Sequence, residues 1–298
     1  VSFIYKHSLH GPSSAILLQL KRLCVYECVN SPEVRCLEND DNDRYRAPAL
    51  DKGLDILELL AGIDGGLTQA EIAKRMGKNA NEFYRMLDRL VKRGYVTRLD
   101  GDRYCLTLKL FGLAQLHAPV RRLASYATPL MRDLAEQTMQ ANQLVVFDRG
   151  AAVVVAQQEA PGYWGISIRV GSHISLLNTG SGHVLLAFRT PEMRAMMMQE
   201  YEESGETPIE PGSEFHNRLE QIRERGYEMM PSVQTAGVVN LSAPVMGPDQ
   251  KAIAALTIPY ITIINQPAAP NISQTIQLLL KTSEQLSKLA GLDIKAPE

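Results

Sequence analysis

The sequence lacks the features that mark membrane and secreted proteins. No apolar run approaches the roughly 18 residues that a membrane helix needs. The segment "SSAILLQL" near the N-terminus is too short for a signal peptide and is followed by "KRLC". The four cysteines, three of them at Cys24, Cys28 and Cys36, do not make a disulfide framework in a chain of 298 residues. We therefore expect a cytoplasmic protein with no membrane partner.

The common catalytic and metal-binding motifs are also absent. There is no G-x-S-x-G, H-E-x-x-H, Walker A or G-x-G-x-x-G pattern. Ser181 and His183 are two residues apart on one predicted helix, so they do not face each other as nucleophile and base. One set near the N-terminus matches no standard zinc spacing: His7, His10, Cys24 and Cys28. We predict a binding protein without a cofactor or metal; the alternative is a small-molecule enzyme built on an α+β sensor-like domain.

Charge is distributed unevenly along the chain. The net charge is −2, yet residues 65–110 hold ten Lys and Arg against five Asp and Glu, a local excess of +5. Residues 197–230 hold nine acids against three arginines, a local excess of −6. The length is sufficient for two domains. This asymmetry is typical of a basic binding module joined to a neutral or acidic domain.

The apolar periodicity predicts where order begins. Residues 1–46 show no sustained helix or strand period, so we expect a poorly ordered extension. In residues 47–106, "ALDKGLDILELLA" predicts a first helix with an apolar stripe: Leu50, Leu54, Leu57, Leu60 and Ala61. A capping box formed by Thr68 and Glu71 predicts the start of a second helix.

A third helix and a hairpin complete this region. The third helix carries its own apolar stripe: Phe83, Met86, Leu87, Leu90 and Val91. Two short alternating segments around Asp100 and Gly101 predict a β-hairpin. Three helices followed by a hairpin is the order of a winged helix-turn-helix, whose third helix enters the DNA major groove.

The polar side of the third helix supplies candidate DNA contacts. Arg85 and Arg89 lie four residues apart on one face, and arginine suits bidentate contact with guanine. Asn81 suits adenine, and Glu82 can accept from cytosine. The remaining DNA-binding candidates are Lys78, Asn79, Tyr84, Lys92, Arg98 and Arg103. The alternative is that many of these are ordinary solvated charges, and Asp88 has no role in either hypothesis.

The second half of the chain has a different pattern. Residues 107–120 predict an apolar linker helix that docks either on its own domain or on a partner chain, of which we favour the partner chain. Residues 121–292 alternate helices and strands, and the tight turns between neighbouring strands predict an antiparallel sheet with flanking helices in an α+β domain. Thr128 and Pro129 predict a helix start, Ser213 a helix cap, and "WGISIRV" a strand. Residues 293–298 form a tail.

A glycine-rich segment, "NTGSGHV", is a candidate ligand site. It places Gly180, Ser181 and Gly182 at a predicted helix start, where free backbone N–H groups and the Ser181 hydroxyl favour an anion. The alternative is a helix cap that binds no ligand.

Seven segments, taken in order, resemble the IclR family of bacterial transcriptional regulators: "ALDKGLDILELLA", "LTQAEIAKRMG", "FYRMLDRLVKRGYV", the hairpin, "SLLNTGSGHVLLAF", "ERGY" and "GVVNLSAPVMGPDQKAIAALTI". The resemblance implies a winged-helix domain, a dimerising linker helix and a GAF-like domain that binds a small molecule, often an organic acid. It also implies dimers that pair into tetramers.

The resemblance further implies a function and a set of effector contacts. The function is that of a ligand-responsive repressor or activator that binds the operator DNA of a catabolic operon. The implied effector-binding residues are Trp164, Ile166, Ile174, Gly180, Ser181, Met230, Asn240, Thr257 and Pro259. This sequence departs from the family at the start of the third helix, where "NANEFYR" replaces small hydroxylated residues. The operators of relatives therefore do not transfer.

Overall fold

The computed structural model describes residues 47–116, 118–205, 214–264 and 269–292. The predicted extension over 1–46, the Ser213 cap and the tail over 293–298 lie outside these residues. The chain divides into two compact units, one ending at Leu116 and the other beginning at His117. Each unit has its own hydrophobic core.

The first unit has the predicted order of helices and hairpin. Its elements are α1 (Pro48–Ala61), β1 (Leu67–Thr68), α2 (Gln69–Arg75), a 3₁₀ turn (Ala80–Glu82), α3 (Tyr84–Lys92), β2 (Val96–Leu99), β3 (Arg103–Leu106) and α4 (Lys109–Gln115). The strands form an antiparallel sheet in the order β1-β3-β2. The winged helix-turn-helix is confirmed, and β1 adds a short strand that the sequence did not predict.

The predicted capping box begins α2. The Thr68 N–H donates to Glu71 Oε2 at 2.8 Å, and the Glu71 N–H donates to Thr68 Oγ1 at 3.3 Å. Two N–H groups that a helix start leaves without partners are satisfied in this way. The chain therefore passes from β1 into α2 without an intervening loop.

The apolar stripe of α1 is covered only in part. The structure buries Ile56, Leu59 and Leu60, whereas Leu50 and Leu54 are 61% and 48% exposed. The buried residues all lie in the C-terminal half of α1, the part that packs against α3 and β3. Ile56 and Leu59 lie outside the predicted stripe, so the buried side of α1 is rotated about the helix axis from the side that the leucine spacing predicted.

The hairpin predicted at Asp100 and Gly101 forms the wing. β2 and β3 pair from Val96 opposite Leu106 to Leu99 opposite Arg103. Gly101 has a φ of 75°, a left-handed conformation that glycine adopts without strain.

The second unit is an antiparallel sheet covered on both faces. Its elements are α5 (Ala118–Thr138), β4 (Asn142–Asp148), β5 (Ala151–Gln158), β6 (His173–Ile174), α6 (Gly180–Ala187), α7 (Pro191–Glu203), α8 (Glu214–Arg225), β7 (Glu228–Pro231), β8 (Val239–Met246), β9 (Ala252–Tyr260) and α9 (Ile272–Leu292). The strand order is β6-β5-β4-β9-β8-β7. α5 and α9 pack on one face, and α6, α7 and α8 pack on the other. The predicted antiparallel α+β fold is confirmed.

Alternation along the central strand β9 separates the two faces. Leu256 and Ile258 join the core beneath α5 and α9, whereas Ala255 joins the core beneath α6. Successive strand residues point to opposite faces, so Thr257 lies on the same side as Ala255. This register places a buried hydroxyl next to the start of α6.

α5 corrects the prediction that Thr128 and Pro129 begin a helix. The helix starts well before them and passes through Pro129. Proline has no N–H to donate to the Ser125 carbonyl, and the Thr128 hydroxyl donates to the Ala124 carbonyl at 2.8 Å. Burial of Met131 against the sheet keeps the helix continuous across this position.

A second correction concerns "WGISIRV", residues 164–170, which form no strand. β5 instead pairs with His173 and Ile174, further along the chain. The alternation that suggested a strand comes from half-buried Ile166 and Ile168 on either side of exposed Ser167. Such alternation arises in any loop that turns every second side chain inward.

Candidate functional site

The candidate DNA-binding surface is the outer face of α3. Phe83 and Leu87 are fully buried in the first unit's core, which leaves the opposite side in solvent. Arg85 and Arg89 are exposed there and form no ion pair with any residue that the structure describes. Tyr84 is 60% exposed beside them. The two arginines are therefore available for an external anion or base edge.

The turn before α3 is held by local contacts. Asn79 Oδ1 accepts from the Asn81 N–H at 3.1 Å. Lys52 of α1 donates to Glu82 Oε2 at 2.7 Å, and this hydrogen bond lowers the pKa of the Glu82 carboxyl. Asn81, Glu82 and the neighbouring Lys78 are exposed. A contact between Glu82 and cytosine would compete with the bond from Lys52.

Several of the predicted phosphate contacts have partners within the unit. Lys92 Nζ lies 2.9 Å from Asp88 Oδ2. Asp88, which had no role in the sequence-based hypotheses, is therefore the ion-pair partner of Lys92. Arg98 pairs with Asp102 across the wing turn at 2.6 Å.

Of these candidates, Arg103 forms the most contacts within its own unit. Its guanidinium donates to the Gly65 and Gly66 carbonyls at 3.0 and 2.7 Å, and it lies 3.5 Å from Glu71 Oε2. These bonds hold the loop before β1 against β3. The structure therefore gives Arg103 a role within the fold, in addition to any contact with phosphate.

The second unit contains a cavity of about 210 Å³ at the start of α6. Seven of the nine predicted effector-binding residues line it: Ile166, Ile174, Gly180, Ser181, Asn240, Thr257 and Pro259. The other two do not. Trp164 is 73% exposed, and Met230 lines a different cavity, together with His183 and Arg218. The described lining residues carry no formal charge.

The start of α6 presents backbone donors to this cavity. The Thr179 hydroxyl accepts from the Gly182 N–H at 3.2 Å and caps the helix. The N–H groups of Gly180 and Ser181 have no acceptor among the described residues. A Cβ at Gly182 would lie 2.0 Å from the Leu176 carbonyl oxygen, so only glycine permits this close approach. Two N–H groups at the positive end of the helix dipole are suited to an anion.

The Ser181 hydroxyl is engaged inside the protein. Ser181 Oγ lies 2.9 Å from Thr257 Oγ1, which donates to Ser242 Oγ at 2.8 Å. A threonine hydroxyl has one hydrogen, so Ser181 donates to Thr257 when both bonds are made. Ser181 can therefore donate its backbone N–H to a bound anion. Its hydroxyl can bind the anion only if the hydrogen bond to Thr257 is broken.

Gln143 of β4 is a cavity residue that the sequence analysis missed. It is 3% exposed and lines the cavity, and its Oε1 has no hydrogen-bond partner. The signal was present in the strand period, because Gln143 shares a face with Val145 and Phe147, which belong to the core beneath α6. A polar residue at an inward-facing position of a buried strand requires a partner.

Beside the first turn of α6, Glu228 organises a buried polar cluster that the sequence analysis also missed. Its carboxylate has no exposed surface and accepts from Arg218 Nε at 2.8 Å, from Arg225 and from the Met229 N–H at 2.7 Å. His183 Nδ1 lies 3.1 Å from the same carboxylate. Burial raises the pKa of Glu228, but bonds from His183 and Arg218 and the charges of both arginines lower it to about 2.

This cluster also bears on the alternative of an enzyme. His183 Nε2 donates to the Leu177 carbonyl at 2.7 Å, so both ring nitrogens of the buried imidazole are engaged. The hydroxyl of Ser181 has Thr257 as its partner. Ser181 and His183 therefore form no nucleophile and base pair.

Among the described residues, no cluster of three or more His, Cys, Asp or Glu is placed to hold a metal, and no helix is long and apolar enough to cross a membrane. The set considered for zinc lies outside the described residues: His7, His10, Cys24 and Cys28.

Two family models match the chain. The model described as "Bacterial transcriptional regulator IclR C-terminal" matches residues 117–288, which is more than half of the sequence. The model described as "IclR helix-turn-helix domain" matches residues 49–100. The chain belongs to the IclR family. The two matched ranges fall in the second and first units.

Curated IclR-family relatives share about a quarter of their residues with this chain. The transcriptional regulator BhcR of Paracoccus denitrificans is 29% identical over 70% of this chain and 76% of its own. KdgR of Escherichia coli is 28% identical over 65% of this chain and 74% of its own. Both are named transcriptional regulators, and this IclR-family chain is a regulator that binds DNA, not an enzyme.

A solved structure shares the fold. The IclR homologue from Microbacterium hydrocarbonoxydans, crystallised with 4-hydroxybenzoate, has a TM-score of 0.65 at 20% identity. The match covers 81% of this chain and 98% of that one. The IclR fold thus extends across both units of the chain.

Proposed function

We propose that this IclR-family protein is a ligand-responsive regulator of a catabolic operon, acting in the cytoplasm as a repressor or activator. The observation that carries the proposal is the uncharged cavity at the start of α6, in a chain whose first unit is a winged helix with two exposed arginines that have no ion-pair partner among the described residues. In this mechanism, the effector shifts the population of geometries in which paired winged helices fit their operator half-sites.

The exposed side of α3 and its flanking residues supply two kinds of proposed operator contact, those to bases and those to phosphates. Arg85 and Arg89 are unpaired and suit guanine, and Asn81 suits adenine. Lys78, Asn79 and Tyr84 flank them, and Glu82 reads a base only if it leaves Lys52. The phosphate contacts would come from Lys92, Arg98 and Arg103, each of which already has a partner in the unit.

The geometry of the cavity supports a small organic acid as the effector. The N–H groups of Gly180 and Ser181 would bind its carboxylate, and Asn240 and Gln143 would bind a hydroxyl or another polar group. The homologue crystallised with 4-hydroxybenzoate holds a molecule with these two kinds of group. Ile166, with Ile174 and Pro259, would contact the apolar part.

We expect Gln143→Leu to weaken effector binding by about tenfold, because the loss of one buried hydrogen bond costs on the order of 1–1.5 kcal/mol. The matched control is Gln157→Leu. Gln157 faces Gln143 across β4 and β5 and also has a buried atom without a partner, but it does not line the cavity. A thermal-shift screen of organic acids identifies the ligand, since binding to the folded state raises stability.

The measurement is the affinity of that acid for both variants and its effect on DNA binding. The proposal requires the acid to change the affinity of the wild-type protein for its DNA site. If Gln143→Leu and Gln157→Leu bind the acid equally, or if bound acid leaves DNA affinity unchanged, the proposed sensing role is wrong.

The apolar face of α4 supports a homodimer, as the family resemblance implies. Leu108 and Leu116 are 82% and 71% exposed, and Phe111 is 63% exposed between them. Leu50 and Leu54 of α1 add to the exposed apolar surface of the same unit. Exposed apolar side chains in this number are typical of an interaction site, and we propose a second copy of the chain as the partner, with pairs of dimers forming tetramers.

We expect Phe111→Glu to weaken the dimer by about a hundredfold or more, because two copies of a buried aromatic are lost at about 1.5–3 kcal/mol each. Leu99→Glu is the matched control, since Leu99 is an exposed apolar residue of the wing. Sedimentation velocity over a concentration series measures both. Equal dimer dissociation constants for the two variants would place the interface elsewhere.

A further inference from the structure

The connection between β5 and β6 is long for two neighbouring strands. It spans residues 159–172, whereas antiparallel neighbours are usually joined by about two to five residues. Its path is not direct, because Ile166, Ser167 and Ile168 line the effector cavity together with Asn240 of β8. β4 and β9 separate β5 from β8 in the sheet. The connection therefore extends away from its own two strands and forms one wall of the effector cavity.

The two halves of this connection are held differently. In the second half, the Gly171 N–H donates to the Val154 carbonyl at 2.8 Å, and the Val154 N–H donates to the Ser172 carbonyl at 3.1 Å. Residues 159–165 form no backbone-to-backbone hydrogen bond with any residue that the structure describes. A segment without such bonds changes conformation at low cost in free energy.

The same segment holds two exposed aromatic side chains. Tyr163 is fully exposed and Trp164 is 73% exposed, and neither forms a hydrogen bond or ring contact with a described residue. Gly162 and Gly165 flank the pair and give the backbone conformational freedom on both sides of it. Aromatic side chains contribute most to stability when they are buried. A conformation that covers Trp164 is therefore accessible and favoured by apolar contact.

A second loop, residues 232–238 between β7 and β8, lies at the same cavity. It lines the cavity through Ser232, Gln234 and Thr235. Val233 lies between these residues and is 67% exposed. Both loops contact one cavity of about 210 Å³, and each holds an exposed apolar side chain within two residues of the cavity wall. Val233 is therefore an apolar surface onto which Trp164 can close.

We propose that residues 159–165 form a lid that closes over the effector cavity and packs Trp164 against Val233. Closure removes water from the N–H groups of Gly180 and Ser181, which is unfavourable while these groups lack an acceptor. A carboxylate in the cavity supplies the acceptor, so the bound acid favours the closed lid. Exclusion of water also strengthens the attraction between the helix start and the carboxylate. The role of the lid in sensing rests on the proposed function, whereas its ability to close does not.

Disulfide trapping tests closure without any ligand. In Trp164→Cys/Val233→Cys, we expect a disulfide to form under mild oxidation, because closure brings the two Cα atoms within the roughly 7 Å that the bond requires. Val170→Cys/Val233→Cys is the matched control, since Val170 is also exposed but precedes the anchored Gly171. Mass spectrometry of peptides distinguishes this bond from those of the natural cysteines. The Trp164 pair should form it at least about tenfold faster than the Val170 pair. Equal rates, or no bond in either variant, would overturn the lid.

Fluorescence tests whether a bound acid closes the lid, because Trp164 is the single tryptophan of the chain. The probe is benzoate, and calorimetry measures its binding. Saturation of the wild type should reduce acrylamide quenching by about twofold or more, because the indole leaves water on closure. Val233→Asn should lose most of this protection and bind benzoate more weakly, since an amide beneath the indole loses its hydration on closure. Val170→Asn, a similarly exposed change outside the lid, should behave as the wild type.

The outcomes separate the lid from the proposed effector. Benzoate that binds the wild type without protecting Trp164 would overturn the proposal, as would equal protection in Val233→Asn and wild type. If benzoate does not bind the wild type, the result counts against the proposed organic-acid effector, and the two disulfide rates decide the lid by themselves.

Discussion

Replacing Arg85 with alanine is expected to raise the Kd for the specific DNA site by roughly 5–150-fold per half-site, which corresponds to about 1–3 kcal/mol. Arg85 is exposed on α3, away from buried Phe83 and Leu87, and has no ion-pair partner among the described residues. Its loss should therefore leave the fold and the effector affinity unchanged. Fluorescence anisotropy with specific and random duplexes at one salt concentration measures the effect.

Arg93→Ala provides the matched control, since it removes one positive charge from the end of the same helix. A lost phosphate contact or a lost surface charge weakens binding to every sequence alike. Arg85→Ala should therefore reduce the preference for the specific duplex, whereas Arg93→Ala should preserve it. An equal loss on specific and random DNA would remove Arg85 from base reading.

Glu228→Gln is expected to lower the free energy of unfolding of the second unit by about 1–3 kcal/mol, because two partly exposed arginines lose their buried carboxylate partner. Glu228 joins α6, α8 and β7 through His183, Arg218 and Arg225. Urea-dependent hydrogen exchange of peptides from β8 measures this unit by itself. Glu224→Gln, an exposed change on α8, is the control and should have no effect.

The contribution of Glu228 should depend on pH in one direction. Its folded pKa, about 2, lies below the ordinary value of 4.5, so the carboxylate stabilises the folded state. That stability is fully present above the ordinary value and is lost as the pH falls towards the folded pKa. The difference between wild type and Glu228→Gln should therefore shrink as the pH is lowered below about 4.5. A difference that stays constant down to about pH 2.5 would contradict this origin.

Local signals were sufficient for most of the fold. The capping box at Thr68, the turn at Gly101 and the tight turns between neighbouring strands of the second unit depend on neighbouring residues, so the sequence carries them directly. The failures involve tertiary context. The Pro129 signal is the same at a helix start or within a helix, and burial of Met131 decides between them. Likewise, nothing local shows that Leu50 and Leu54 are left uncovered by their own unit.

The candidate sites divide in the same way. The candidate anion site at the start of α6 can be predicted from "NTGSGHV", because its glycines and hydroxyl residues act within one turn of helix. The roles of Gln143 and Glu228 depend on residues that are distant in sequence. Thr257 of β9 lies opposite Gln143 of β4, and His183 of α6 lies beside the Glu228 carboxylate. Sequence periodicity predicts that such residues face inward, but it does not predict which side chains they contact.

The central claim is that α3 reads a DNA sequence under the control of an acid bound at the start of α6. The most direct measurement is selection of duplexes from a random pool by the full chain, followed by anisotropy titration of the enriched duplex with and without the acid found by thermal shift. We predict an enriched inverted repeat, bound about a thousandfold or more tighter than random DNA at the same salt, with an affinity that changes when the acid is bound. Equal affinity for all duplexes, or an enriched duplex whose affinity ignores the acid, would contradict the account.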